Sequence, residues 1–157
     1  MGPRQALADA DIYKRHALEL IRYATSLVGP DDASDVVTDA VIAAFSSPGW
    51  PSVVQPRAYL YRAVYFRAIE VHRSTTRRRR REQAVAPRDD DPSIDPSGTI
   101  DAFRSLAKLS AQQRAVVYLT YWEDQPPVAI AELLNVSEGT VRKQLARARD
   151  QLRRELS

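Results

Sequence analysis

The chain of 157 residues contains no cysteine, two histidines and five glycines. Without cysteine it has no disulfides, no thiolate zinc site and no thiol catalysis. His16 and His72 stand alone, and the sequence shows no nucleophile with its base, no glycine-rich phosphate loop and no cluster of metal ligands. We therefore predict no catalytic residues, no metal, no cofactor and no enzymatic activity.

Long hydrophobic runs are also absent. No segment approaches the roughly 20 apolar residues that cross a bilayer, and no signal peptide precedes the first helical pattern. We expect a soluble cytoplasmic protein with no membrane insertion. Apolar residues make up 44% of the chain, enough for one core or two small ones. The net charge is +3, and arginine supplies 20 of the 23 basic residues, a balance that suits phosphate and guanine recognition.

A helix-turn-helix pattern lies at the end of the chain. Pro126 and Pro127 are typical of a helix start, and the apolar residues after them predict a helix that buries most of its surface. Asn135 suits the left-handed conformation of a tight turn, and Ser137 is a good N-cap for the next helix. The apolar residues of the first helix are Val128, Ile130, Ala131, Leu133 and Leu134.

The second helix of this pair carries an apolar stripe from Val141 to Leu156 and cations on other faces. Its first half is the part that such a helix presents to base edges in the major groove. We predict DNA contacts there and at flanking phosphates, although a solvated packing helix would show a similar pattern. The predicted contact residues are Ser137, Thr140, Arg142, Lys143, Arg147 and Arg149.

Three further helices are predicted before residue 74. An apolar stripe from Tyr13 to Val28 stops at Gly29 and Pro30, and Asp31 or Asp32 can cap the next helix. That second helix has a buried stripe that includes Val37 and an opposite face with Asp35 and Asp39. The two carboxylates are open to three interpretations: a solvated face, an acid–base or ligand pair, or a surface that docks another protein.

The third helix is predicted to begin near Pro56 and alternates aromatic residues with arginines. Arginine beside aromatic surface can hold a nucleic-acid backbone while bases stack, so single-stranded DNA is one candidate ligand. The competing interpretation is that the aromatic residues are core. On that view Leu60 and Val64 are buried, together with Tyr61 or Tyr65.

A compositional break follows over residues 74–98, where helical periodicity is lost and three prolines occur. It contains five arginines at 77–81 and the acidic run Asp89–Asp91. We interpret it as a flexible linker, and clustering beside a DNA-binding helix favours phosphate contacts for its arginines. An extension of the third helix is the alternative. The predicted units are thus 1–73, 74–98 and 99–157.

Three segments resemble one protein family, in the right order. DASDVVTDAVIAAF, from Asp32 to Phe45, resembles the second conserved region of the extracytoplasmic-function (ECF) sigma factors of bacterial RNA polymerase. Residues 56–73 resemble the promoter-melting helix of that family, and residues 112–156 resemble its C-terminal region. The resemblance implies an all-α fold of two small helical domains, joined by a flexible linker.

The resemblance also implies partners: core RNA polymerase, promoter DNA and an anti-sigma factor. The helix-turn-helix would read the duplex minus-35 element, and the N-terminal unit would hold the melted minus-10 strand. By the resemblance, core polymerase would bind Asp35, Val37, Thr38, Asp39 and Ile42. The minus-10 strand would meet Trp50, Arg57, Arg62, Tyr65, Phe66, Arg67 and Arg73.

A second functional class stays open from the sequence. A conventional regulator would dimerise or sense a ligand through its N-terminal unit and bind a palindrome with its helix-turn-helix. It would act on duplex DNA without forming a complex with polymerase.

Overall fold

The computed structural model describes residues 2–85 and 105–156, and every regular element in these two ranges is helical. The all-α prediction is therefore confirmed. A short helical turn at residues 105–107 precedes α4. The helices are α1 (Pro3–Val28), α2 (Pro30–Ser46), a 3-10 turn (Trp50–Ser52), α3 (Pro56–Val85), α4 (Ala111–Tyr121), α5 (Pro127–Leu134) and α6 (Glu138–Leu156).

The corner between α1 and α2 depends on Gly29. Its φ of 93° lies in a region that residues with a Cβ rarely adopt, and its N–H donates to the Thr25 carbonyl at 2.9 Å. Pro30 then begins α2, so Gly29 is the N-cap. The prediction that Asp31 or Asp32 caps α2 is wrong. Both lie in its first turn, where the positive end of the helix dipole stabilises carboxylates.

Helix α3 is longer than predicted. It continues through the arginine run to Val85, so the first part of the predicted linker is helical. Arginine is a good helix former, and no proline occurs in the chain between Pro56 and Pro87. The rest of that predicted linker, with the acidic run Asp89–Asp91, lies outside the described residues.

The helix-turn-helix geometry is confirmed between α5 and α6. Asn135 takes the left-handed conformation at φ 56° and ψ 49°, and its N–H donates to the Ala131 carbonyl. Ser137 precedes α6, and its Oγ accepts a hydrogen bond from the Thr140 N–H at 3.1 Å. One prediction for α5 is wrong, because Val128 is 53% exposed. It lies in the first turn, away from the side that carries buried Ile130 and Leu134.

Among the described residues, the larger of two apolar clusters joins helices from both predicted halves. It contains Leu20 and Val64 from the N-terminal helices, and Leu119 and Ile130 from the C-terminal ones. The rings of Tyr23 and Tyr118 lie 5.6 Å apart across the boundary. The division into separate units at residues 73 and 99 stays a prediction. In this structure the described helices pack as one body, with α4 against α1 and α3.

Candidate nucleic-acid and protein interfaces

The exposed side of α6 presents two free cations. Lys143 and Arg147 are four residues apart, so they lie on one face, and both are exposed. Neither makes an ion pair or a hydrogen bond with any residue that the structure describes. Their amine and guanidinium groups are therefore available to an external acceptor such as a base edge or a phosphate.

Two other predicted DNA contacts on α6 already have internal partners. Arg142 donates to Glu138 Oε1 at 2.6 Å, one turn back on the same helix. Arg149 Nε donates to the Tyr121 hydroxyl at 2.7 Å, and the guanidinium lies 5.7 Å from the centre of that ring. Both arginines are exposed, so these contacts orient the side chains without removing them from solvent.

The hydroxyls of Ser137 and Thr140 stabilise the start of α6. Ser137 Oγ caps the helix through the Thr140 N–H and lies 2.8 Å from Thr140 Oγ1. Ser137 remains exposed at the surface from which α6 begins. The two residues therefore combine a structural role with a position beside Lys143.

Two residues predicted to meet the minus-10 strand are buried, so neither is accessible to DNA in this arrangement. Trp50 is 3% exposed, and its ring packs 4.9 Å from Phe45 and 5.4 Å from Tyr59. Its Nε1 donates to Asp9 Oδ1 at 2.8 Å. Tyr65 is also 3% exposed, because it lies on the side of α3 that carries Tyr61 and Val64 into the core.

The remaining minus-10 candidates on the outer side of α3 are accessible to different degrees. Phe66 is 44% exposed and Arg73 is exposed. Arg67 donates to Asp39 Oδ2 at 3.1 Å and to Glu70 Oε2 at 3.0 Å. A residue predicted to bind DNA is thus paired with one predicted to bind polymerase, so the two candidate surfaces are contiguous.

Arg57 and Arg62 reach from α3 to the C-terminal half of the chain. Arg57 Nε donates to both oxygens of Glu19 at 3.1 Å, and its Nη2 donates to Glu123 Oε2 at 3.0 Å. Arg62 Nη2 donates to the backbone carbonyl of Glu132 at 2.7 Å. Both arginines are therefore occupied by internal acceptors in this arrangement.

A tyrosine completes the cluster around Arg57. The Tyr61 hydroxyl lies 3.2 Å from Glu19 Oε2 and 3.2 Å from Glu123 Oε1, and Arg57 lies over its ring at 4.7 Å. Burial, followed by the negative charges of Glu19 and Glu123, raises the pKa of Tyr61 far above its ordinary value. The hydroxyl therefore keeps its proton and acts as a donor between the two carboxylates.

The outer face of α2 carries the predicted polymerase contacts. Asp35 and Thr38 are exposed, Ile42 is 60% exposed, and Asp39 is exposed despite its pairing with Arg67. Val37, which was also predicted to contact polymerase, is 1% exposed and is therefore not accessible on this face. It belongs to the stripe that packs against the core, one residue away from the exposed side.

Several residues that hold these surfaces in place could not be identified from the sequence. Asp9 holds Trp50, while Glu19 and Glu123 hold Arg57. Each partner is 38 or more residues away along the chain, so no local pattern connects them. Within the described residues, no group of histidine and acidic side chains is arranged to hold a metal ion. No helix of that part is long and apolar enough to cross a membrane.

Sequence comparison finds a family match and related proteins. Residues 102–152 match the family model "Sigma-70, region 4". The RNA polymerase sigma-E factor of Streptomyces avermitilis is 33% identical over 146 residues, which cover 87% of this chain and 78% of that protein. The ECF RNA polymerase sigma factor SigL of Mycobacterium tuberculosis is 30% identical over 143 residues, with 85% and 80% coverage.

Solved structures share the fold. The sigma factor RpoE from Bartonella quintana, determined in complex with the anti-sigma factor NepR, has a TM-score of 0.69 and 23% identity. The match covers 93% of this chain and 96% of RpoE. CnrH, determined in complex with the cytosolic domain of CnrY, has a TM-score of 0.66 and 23% identity, covering 96% of this chain and 88% of CnrH.

Proposed function

Because the chain belongs to the ECF sigma factors of bacterial RNA polymerase, we propose that it binds core polymerase through α2 and reads promoter DNA through α6 and α3. Its function is in transcription initiation. The observation that carries the DNA-reading part is the exposed pair Lys143 and Arg147 on α6, which has no internal partner among the described residues.

The minus-35 element is the proposed ligand of α6. Lys143 and Arg147 extend from one face in the first half of the helix, which is the part that a helix-turn-helix inserts into the major groove. Arg142 and Arg149 are pre-oriented by Glu138 and Tyr121, and they suit contacts with the flanking phosphates. Ser137 and Thr140, at the start of α6, would lie against the same stretch of DNA backbone.

Two alanine variants test this assignment. Lys143→Ala and Arg147→Ala should each weaken binding to duplex promoter DNA by about 1 to 3 kcal/mol. Arg154→Ala is the matched control, because it removes an exposed cation from the last turn of the same helix. Fluorescence anisotropy with the duplex, and a competition assay with core polymerase, separate the two activities. Equal losses in all three variants would indicate general electrostatics in place of base reading.

The minus-10 strand is the proposed ligand of the outer side of α3. Phe66 offers an exposed ring for base stacking, and Arg67 and Arg73 offer cations for phosphates. Arg57 and Arg62 join this surface only when they release Glu123 and Glu132. Trp50 and Tyr65 are left out of the proposed contacts because they are core residues in this structure.

Core polymerase is the proposed partner of the exposed face of α2. Asp35, Thr38 and Ile42 are free of internal partners in the described part of the chain, and an exposed isoleucine beside a carboxylate suits a protein interface. Asp35→Lys should reduce binding to core polymerase and leave duplex DNA binding unchanged. Asp31→Lys, the same charge change in the first turn of α2, is the control. Equal polymerase affinity in Asp35→Lys and the unmodified protein would remove this face from the interface.

The protein would have no catalysis of its own, and it would act in the cytoplasm, where polymerase and chromosomal DNA meet. An anti-sigma factor is the proposed regulator, since the two structural neighbours were each determined with a bound protein, which for RpoE is the anti-sigma factor NepR.

A further inference from the structure

A cleft of about 720 Å³ opens between the two predicted halves. One wall is the corner of α1 and α2 around Gly29, and another is the stretch of α3 that includes His72, Arg79 and Arg80. The third wall is the segment 107–110 together with Arg114 of α4. The volume lies in the range of small-molecule sites, which is about 300 to 1,000 Å³.

Three arginines of this cleft lack anionic partners among the described residues, whereas its lysine, Lys108, pairs with Glu155. Arg79 and Arg80 form no ion pair with any described residue, whereas their neighbour Arg78 pairs with Glu82. Arg114 is 7% exposed, and its guanidinium donates only to backbone carbonyls, among them Leu27 at 2.6 Å and Ala107 at 2.6 Å. Buried charges in proteins are usually paired, so a guanidinium without a carboxylate is unusual.

The electrostatic effect of these groups extends to His72. Burial lowers the pKa of His72, and the charges of Arg114 and Arg79 lower it further. Burial and Arg79 also lower the pKa of Arg114. The three arginines Arg79, Arg80 and Arg114 outnumber the two carboxylates that line the cleft, Asp31 and Asp32, and an anion is the ligand that would neutralise this excess of positive charge.

We propose that this cleft binds a polyphosphate anion, either inorganic or carried by a nucleoside. Arg79 and Arg80 donate to the phosphate oxygens, and guanidinium groups suit that geometry. Asp31 and Asp32 also line the cleft. They can accept hydrogen bonds from the hydroxyl and amino groups of a nucleoside. Because the site is a recess with three walls, the ligand is a small molecule and not a DNA strand.

The bound anion would contact both predicted halves at once. Arg79 and Arg80 belong to α3, while the segment 107–110 and Arg114 lead into and belong to α4. A ligand that binds only the packed arrangement stabilises that arrangement by mass action. The same ligand would then keep Arg57 and Arg62 with their internal acceptors and away from promoter DNA.

Isothermal titration calorimetry on the full chain tests the site, with sodium tripolyphosphate, ATP and GTP as separate probes. We expect one binding site per chain for at least one probe. Tighter binding of a nucleotide than of tripolyphosphate identifies the nucleoside form, and equal binding identifies the inorganic form. The double variant Arg79→Ala/Arg80→Ala should lose about ten-fold or more in affinity, because two charge-assisted hydrogen bonds are removed.

The arginine run supplies a matched control. Arg77→Ala/Arg81→Ala removes the same charge from the same helix, at exposed positions that do not line the cleft. All four positions are exposed and helical, so alanine should preserve the fold, which circular dichroism checks. The proposal is overturned if no probe binds, or if both double variants lose affinity equally. The measurement uses neither polymerase nor promoter, so its failure would leave the proposed sigma function standing.

Discussion

At the residue scale, the indole of Trp50 anchors the connection between α2 and α3. It is buried between Phe45 and Tyr59, and its N–H donates to Asp9 near the start of α1. Trp50→Ala should lower the free energy of unfolding by about 3 to 5 kcal/mol, because it leaves a large cavity. Urea denaturation measures this. Trp122→Ala, at a tryptophan that is 65% exposed, is the control and should cost much less.

The same variant also tests the DNA contact predicted for Trp50. A Trp50→Ala protein that keeps its stability but loses single-stranded DNA binding would show that the indole leaves the core to meet the strand. The structure argues for the opposite outcome, since the side chain is 3% exposed and hydrogen-bonded.

His72 is a second residue with a measurable consequence. Its pKa is lowered in the folded protein, first by burial and then by Arg114 and Arg79. The unfolded chain binds the proton more readily, with an ordinary pKa of about 6.5. The contribution of neutral His72 to the free energy of unfolding should therefore be fully present above that pH and decline as the pH falls below it. His72→Gln should show a smaller decline between pH 7.5 and 5.5 in urea denaturation, and identical declines would contradict this account.

At the element scale, the start of α6 depends on one hydroxyl. Ser137→Ala removes the N-cap hydrogen bond to Thr140 and should cost about 1 kcal/mol of stability. Ser137→Asp keeps a capping oxygen and favours the positive end of the helix, so it should remain as stable as the unmodified protein. The added carboxylate would nevertheless repel DNA phosphates. Weaker promoter binding at equal stability is the expected result for Ser137→Asp, and unchanged binding would remove Ser137 from the DNA interface.

At the scale of the whole molecule, packing of the N-terminal half against the C-terminal half competes with DNA binding by α3. Arg57 holds Glu123, and Arg62 holds the Glu132 carbonyl, so both arginines are occupied while the halves are packed. Glu123→Arg replaces attraction at Arg57 with repulsion. Because the side chain of Arg57 is 41% exposed, its ion pair with Glu123 contributes at most about 1 kcal/mol. We therefore expect only part of the population to change to an arrangement in which the two halves are separated.

Because the chain contains no cysteine of its own, introduced cysteines can be labelled specifically, and the separation of the two halves can be measured. Cysteines introduced at exposed Lys14 and Arg154 can carry a pair of spin labels. In Glu123→Arg we expect a larger share of long distances and tighter binding of a single-stranded minus-10 oligonucleotide. Glu132→Arg is the control, because Arg62 uses the backbone carbonyl of that residue, which the substitution keeps. Identical distance distributions in the two variants would show that the apolar core alone sets the packing.

The sequence by itself determined the helices and the DNA-reading motif, because these depend on neighbours along the chain. Asn135 in its left-handed turn, Ser137 at the N-cap and the stripe from Val141 to Ala148 follow from local stereochemistry and helical periodicity. The extent of α3 was misjudged because charge and lost apolar periodicity were taken for a linker. Helix propensity alone would have extended it.

Only the tertiary structure decided which side chains are available to partners. Trp50, Tyr65 and Val37 have the right chemistry for their predicted contacts, but packing buries them. Arg57, Arg67 and Arg114 have partners at 28 to 87 residues' separation, which no local pattern can specify. Burial and pairing depend on how helices pack in three dimensions, so the polar cluster at Arg57 and the cationic cleft exist only in the folded chain.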